Sequence, residues 1–127
     1  MNIYGIGTDI VSVSRIKKSL KNKNFVKRIF NNQEILRCKK KVRSHNCYAK
    51  RFAAKEAFSK ALGSGISSGI NFNEIIILNK KTGKPYISLI GQTKKILDNK
   101  FKKKKIKILI SLSDEKDIAV AFVTISL

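Results

Sequence analysis

The sequence predicts an α+β fold: a single small domain in which a mostly antiparallel sheet packs on a long helix. Three observations lead there. The opening stretch Met1–Val13 is rich in β-branched residues and lacks helical apolar spacing. The stretch Arg51-Phe-Ala-Ala-Lys-Glu-Ala-Phe-Ser-Lys-Ala-Leu-Gly63 carries the apolar period of a strong helix. The C-terminal part reads as a hairpin around Asp114-Glu-Lys-Asp117. With 127 residues, the chain is one domain, 1–127, long enough for a real core.

The elements follow in order. In the first strand Gly5, Gly7 and Asp9 share one face, and Tyr4, Ile6, Thr8 and Ile10 share the other. Strand-interior glycines often mark close approach of a ligand or another backbone. They leave a bare floor beside a carboxylate, or else admit a packed helix, which can be the helix bearing Glu56. Ser14 is suited to cap a short helix carrying Arg15, Ile16, Lys17, Lys18 and Leu20. Asn31 or Asn32 starts a second helix, with Glu34 early and Lys39 to Lys41 late, as the helix dipole favours.

The long helix runs from about Asn46 to Gly63, a natural C-terminal glycine. Gly63-Ser-Gly-Ile-Ser-Ser-Gly69 follows as a flexible, amide-rich loop. Glu74 to Asn79 and Pro85 to Ile90 form a strand pair, and a short helix spans about Gln92 to Lys100. Ile106 to Ser113 and Ile118 to Ser126 make the closing hairpin. The last strand is apolar on both faces, so something must cover each, and a subunit interface is a natural cover. There is no linker composition and no internal repeat.

Within the long helix, Ala54, Ala57, Phe58, Ala61 and Leu62 form the apolar stripe, while Glu56 and Lys60 project from the opposite side beside Ala49, Phe52 and Ala53. As an i,i+4 pair on a solvated face, Glu56 and Lys60 are worth only ~0.3–0.5 kcal/mol. The apolar surroundings on both sides, together with Asp9 on the glycine strand, favour the lining of a cleft instead.

The formal net charge of +20 points to a polyanionic partner without naming it. The basic runs Lys39–Lys41 and Lys102–Lys105 are not interleaved with aromatics, and no zinc-finger or RNA-recognition motif is visible. Acids are few, and of the eight only Asp9 and Glu56 lie in strongly apolar contexts. A small basic nucleic-acid-binding module explains the charge but leaves these carboxylates and the glycines unexplained. No apolar run reaches the ~18 residues of a membrane span. With no apolar leader either, the expectation is a cytoplasmic protein without a membrane partner. Cys38 and Cys47 fit neither a disulfide framework nor a zinc spacing, so idle or buried thiols are expected; His45 is expected at the surface.

Two carboxylates without nearby His or Cys are hard oxygen ligands, which favour Mg²⁺ or Mn²⁺ over zinc. Lys60 supplies a point charge for phosphate, and the amides of the Gly63–Gly69 loop can cradle another. A diphosphate ester is then the natural substrate, with phosphoryl transfer the reaction. Gly5-Ile-Gly7 lacks a third glycine opening a helix, Gly63-Ser-Gly65 follows a helix rather than a strand, and no Walker lysine is present, so the dinucleotide and P-loop fingerprints fail.

Gly5-Ile-Gly-Thr-Asp9-Ile-Val11 and Arg51-Phe-Ala-Ala-Lys-Glu56-Ala-Phe-Ser-Lys60 resemble the two signatures of the 4′-phosphopantetheinyl transferases; Gly63-Ser-Gly65-Ile and Gly83-Lys-Pro-Tyr86 resemble those of the short bacterial branch. The resemblance covers essentially the whole chain. It implies Mg²⁺-dependent transfer of 4′-phosphopantetheine from coenzyme A to a serine of an acidic apo-acyl carrier protein, with release of adenosine 3′,5′-bisphosphate, in fatty acid biosynthesis. It also implies a homotrimer with interface sites.

Position by position, the resemblance gives Asp9 and Glu56 to Mg²⁺ and Lys60 to the diphosphate. Arg51, Gly63, Ser64 and Gly65 fall to the nucleotide phosphates, and Arg15 and Lys18 to carrier docking. Ser12 stands where many relatives have glutamate, and Asp114 where many have histidine, which leaves Glu56 or a water on the metal to activate the serine.

Overall fold

A computed structural model describes residues 2–63, 69–102 and 104–127. Strand β1 (Ile3–Ser12) is followed by helices α1 (Val13–Ser19), α2 (Lys23–Ile29), α3 (Asn32–Lys39) and α4 (Ser44–Leu62). A 3-10 turn at Phe72–Glu74 leads into β2 (Ile75–Asn79) and β3 (Pro85–Leu89), then α5 (Gly91–Lys100), β4 (Lys107–Glu115) and β5 (Ile118–Ser126).

The strands are antiparallel, as expected, but they form two sheets rather than one: β1-β5-β4, and the β2-β3 hairpin. Helix α5 joins β3 to β4; its Leu97, with Phe101 just beyond its end, lines a cavity of about 220 Å³ together with Ile87, Leu89, Ile106 and Ile108. No hydrogen-bonded ladder joins β3 to β4 among the described residues.

Helix α4 lies across the three-stranded sheet, and glycine makes this possible. A Cβ on Gly5 or Gly7 would collide with the backbone carbonyls of Ala61 and Ala57. The helix backbone therefore rests on the strand itself. From the neighbouring strand Ala119, Ala121, Val123 and Ile125 turn toward the same core and are fully buried. The helix stops at Gly63, whose left-handed conformation (φ 83°) lets its N–H reach the Ser59 and Lys60 carbonyls.

The other side of α4 holds an ionic group that the sequence reading passed over. Lys55 and Glu34 are fully buried, with Nζ 2.7 Å from Oε1. Lys55 also donates to the Phe72 and Ile75 carbonyls at 2.8 and 2.5 Å, while Glu34 accepts the Ile77 amide at 3.0 Å. Glu34 further accepts the Asn31 amide, completing the capping box that starts α3. Burial pulls the Lys55 ammonium down to about 8, against the opposing pull of Glu34. One network thus joins α3, α4 and β2. A signal was available: Arg51, Lys55, Phe58 and Leu62 recur at i, i+4, i+7 and i+11, so Lys55 shares the apolar face.

Three local expectations are corrected. The α1 cap is Ser12, not Ser14: the Ser12 hydroxyl accepts from the Arg15 amide, and Ser14 instead binds Asp117 through its amide (2.8 Å) and hydroxyl (3.1 Å). Helix α2, capped by Asn22, was not anticipated, because its short polar run carries little periodicity. Cys38 and Cys47 are not free thiols but a disulfide joining the end of α3 to α4, with Cα atoms 5.4 Å apart. Pairing depends on this close approach in space, which a separation of nine residues does not reveal.

Candidate active site

Asp9, Glu56 and Lys60 come together where α4 crosses β1. Lys60 Nζ lies 3.1 Å from Asp9 Oδ1 and 3.0 Å from the Thr8 carbonyl. The lysine remains 56% exposed whereas Asp9 is only 15% exposed, so an open ammonium sits beside a largely buried carboxylate. Glu56, one turn before Lys60, is half-buried. Its carboxyl is held above the usual carboxylate range, first by burial and then by the Asp9 charge, with Lys60 pulling the other way. A half-buried carboxyl raised in part by a neighbouring carboxylate, beside an open cation, is chemically suited to a divalent ion and an anionic ester. Among the described residues no third His, Cys, Asp or Glu joins them. Ser12 does not compensate, since its hydroxyl is engaged with Ser14, Asp117 and the Arg15 amide.

Arg51 is not part of this cluster. Five residues before Glu56, it points about 140° away around the helix. It is 3% exposed and donates to the Cys47 carbonyl and to Asn79 Oδ1, the latter at 2.7 Å. Its buried Nε has no partner among the described residues. Arg51 lines a cavity of about 330 Å³ with Arg37, Lys41, Arg43, Lys50 and Asp114. Burial alone would raise the Asp114 carboxyl, but the Asn46 amide (2.8 Å) and the Lys50 and Arg43 charges outweigh it and hold the group below the usual range. The pocket therefore keeps a strong excess of positive charge. The sequence reading singled out Arg51 but not its cationic neighbours; Arg37, Lys41 and Lys50 assemble only through the α3–α4 turn.

Arg15 lines a third, more apolar hollow with Ile10, Ile16, Phe25 and Phe52, and Lys18 is exposed on the same helix. Gly63 is exposed at the end of α4, while Ser64 and Gly65 lie outside the described residues. His45 is exposed, as expected, and no described helix is long and apolar enough to cross a membrane.

This arrangement has close parallels. The family model described as the 4′-phosphopantetheinyl transferase superfamily matches residues 5–123. The chain belongs to that superfamily. It is an enzyme of the holo-[acyl-carrier-protein] synthase branch, to which the carboxylate pair and glycine strand had pointed. A holo-[acyl-carrier-protein] synthase of Pelagibacter ubique is 50% identical over 123 residues, covering 97% of this chain and 96% of the relative.

Among solved structures, the synthase of Neisseria meningitidis superposes with a TM-score of 0.85 at 38% identity, covering 98% of this chain and 99% of that one. The Helicobacter pylori synthase, solved in complex with coenzyme A, gives 0.77 at 35% identity over 95% of this chain and 99% of that one. For this transferase the nucleic-acid-binding alternative is thereby disfavoured: its fold and signatures are those of the synthases.

Proposed function

We propose that the enzyme moves the 4′-phosphopantetheine arm of coenzyme A onto a serine of an acidic apo-acyl carrier protein, in support of fatty acid biosynthesis. The observation that carries this reading is the apposition of Asp9, Glu56 and Lys60 where α4 rests on the glycines of β1. Asp9 and Glu56 would hold Mg²⁺, whose remaining positions suit water and substrate phosphate oxygens. When bound, the ion supplies charge neutralisation at the diphosphate and polarisation of its phosphorus.

The serine oxygen forms a bond to the phosphorus on the pantetheine side, and the bond to the bridging oxygen breaks. Adenosine 3′,5′-bisphosphate leaves with that oxygen. Lys60, exposed beside Asp9, stabilises the charge that develops on the departing phosphate. Glu56, whose raised proton affinity supports the role, would receive the serine proton. Arg51, whose buried Nε has no partner among the described residues, would meet the nucleotide phosphates from its strongly cationic pocket, with Gly63, Ser64 and Gly65 offering further contacts. Arg15 and Lys18 would dock the acidic carrier beside the apolar hollow of Phe25 and Phe52.

The working form proposed is a cytoplasmic homotrimer. Ile6 and Ile10 are 61% and 66% exposed, and Phe122 beside them is 44% exposed, leaving an apolar sheet face that a second copy can cover. Because Arg51 and Glu56 point apart within one chain, a neighbouring copy is also needed to bring a cationic pocket to each carboxylate pair. The test is to mix the protein with coenzyme A, Mg²⁺ and an apo-carrier protein and weigh the carrier. A gain of one phosphopantetheine arm is expected; an unchanged carrier mass overturns the reading.

A further inference from the structure

The Cys38–Cys47 disulfide lies against the cationic pocket, not in a remote part of the core. Cys47 lines the pocket, and its sulfur is 3.3 Å from Arg51 Nη1. The bond also closes the segment from α3 to α4, whose exposed Lys39, Lys40, Lys41 and Arg43 form a basic turn. Two of these, Lys41 and Arg43, line the same pocket, and Arg37 lines it one residue before Cys38. Within the turn the chain is held by the Lys40 N–H to the Arg37 carbonyl, the Lys41 N–H to the Cys38 carbonyl, the Cys47 N–H to the Arg43 carbonyl and a long Arg43–Asp114 ion pair at 4.0 Å, while Val42 is fully exposed. The disulfide is thus the covalent tie that fixes the pocket's cationic rim.

We propose that this disulfide is a redox clasp that sets the pocket's affinity for a phosphate-bearing nucleotide. The proposal rests on the reading above that the pocket receives nucleotide phosphates. Cys38 is fully buried and Cys47 is 6% exposed, so a dithiol reductant can open the clasp only from the pocket side, where Cys47 forms part of the lining. One of its thiolates bonds to Cys47 Sγ, the Cys38–Cys47 bond breaks, and its electron pair passes to Cys38 Sγ, which takes a proton. The reductant's second thiolate then attacks the mixed disulfide and expels Cys47, and the reductant departs as a disulfide. Two electrons and one proton enter the protein, the proton on Cys38, and Cys47 is released as the thiolate.

Reduction weakens anion binding in two ways. The basic turn is released, so its long side chains must be ordered again at each binding event. Cys47 also becomes a thiol beside a guanidinium, an environment that favours the thiolate and supplies an anion that competes for Arg51. Ordering two or three such side chains in advance is worth roughly tenfold in affinity.

The test uses the whole protein in its disulfide form, in its dithiol-reduced form, and as the Cys38→Ser/Cys47→Ser variant. Amide hydrogen exchange is followed in residues 39–43, binding of adenosine 3′,5′-bisphosphate is measured by calorimetry, and carrier loading is assayed alongside. Faster exchange in 39–43 on reduction, with roughly tenfold weaker binding and a variant blind to the reductant, is the expected result. Equal exchange in the two redox forms overturns the clasp. Different exchange with equal binding, or with none in either form, overturns its coupling to the pocket; normal carrier loading in that case shows that the enzymatic reading stands without it.

Discussion

Gly7 of β1 and Ala57 of α4 touch backbone to backbone, with no room between them for a single methyl group. The contact brings the strand that carries Asp9 against the helix that carries Glu56. Gly7→Ala must push the helix off the strand, because the colliding atoms belong to the helix backbone and cannot rotate away. The expected cost is about 1–3 kcal/mol or somewhat more. A drop in the urea midpoint together with loss of Mg²⁺-supported transfer is the predicted pair of effects. An alanine variant with unchanged stability contradicts the packing described.

Protonation should tune the proposed metal site from the Glu56 side. Its carboxyl is raised by burial and by Asp9, so at limiting Mg²⁺ the activity should fall with acidification earlier than an ordinary carboxylate would dictate. The stability sign is opposite. A raised folded-state pKa means that the folded protein binds more protons than the unfolded one, so the metal-free protein loses stability at this group as pH rises through that window. Asp9→Asn removes one cause of the shift, and Glu56 should then titrate lower by carboxyl NMR. An unmoved titration would show that the two carboxylates do not sense each other.

Lys55→Met leaves Glu34 charged, buried and without its ammonium partner. Breaking such a pair costs about 3–5 kcal/mol. Pairing Lys55→Met with Glu34→Gln should recover part of that loss, since the orphaned charge is gone. A thermal-melt cycle of the four proteins reads the coupling, and strict additivity would refute it.

Assembly is tested on the apolar sheet face. Phe122→Glu places a charge among Ile6, Ile10 and Val120, and should shift the sedimentation profile to monomer with transfer activity lost in parallel. A fully active monomer, in wild type or variant, removes the need for a shared site.

Carrier docking makes a separate claim. Arg15→Glu should raise the apparent KM for the carrier while coenzyme A affinity stays near wild type, because complementary charge acts chiefly on encounter and register. Lys105→Glu, in the distant basic run, is the comparison. The gap between the two should narrow with salt, given screening beyond ~8 Å at physiological ionic strength. Small, equal effects would assign the +20 charge a diffuse role only.

The long helix, the strands and the carboxylate pair were legible in the sequence because periodicity and isolated polar groups carry that information. Of the two readings of the glycine strand, the packed helix holds and the bare floor does not, since α4, the helix carrying Glu56, rests on both glycines. The disulfide and the cationic pocket were not legible, because they arise where α3 turns back on α4 and brings distant residues side by side. Lys55 was legible in principle from its place on the apolar face, but a lysine there has meaning only once Glu34 is known to meet it. The split of the strands into two sheets depends on where α5 lodges its side chains, which strand patterns alone do not encode.

The central sheet joins β1 to β5, with Ile3 opposite Ser126, and Asp117 from the last hairpin holds the start of α1. During synthesis, then, the first strand waits for its neighbour until the helices and the other three strands have been made. Until residues 118–126 emerge, Gly5 and Gly7 can receive α4 but β1 lacks its hydrogen-bonded partner, and α1 lacks its Asp117 clamp. Such long-range closure is slow and leaves a half-built chain exposed to aggregation. A chain lacking β5 should accordingly be recovered as insoluble material, because β5 closes the sheet that β1 begins.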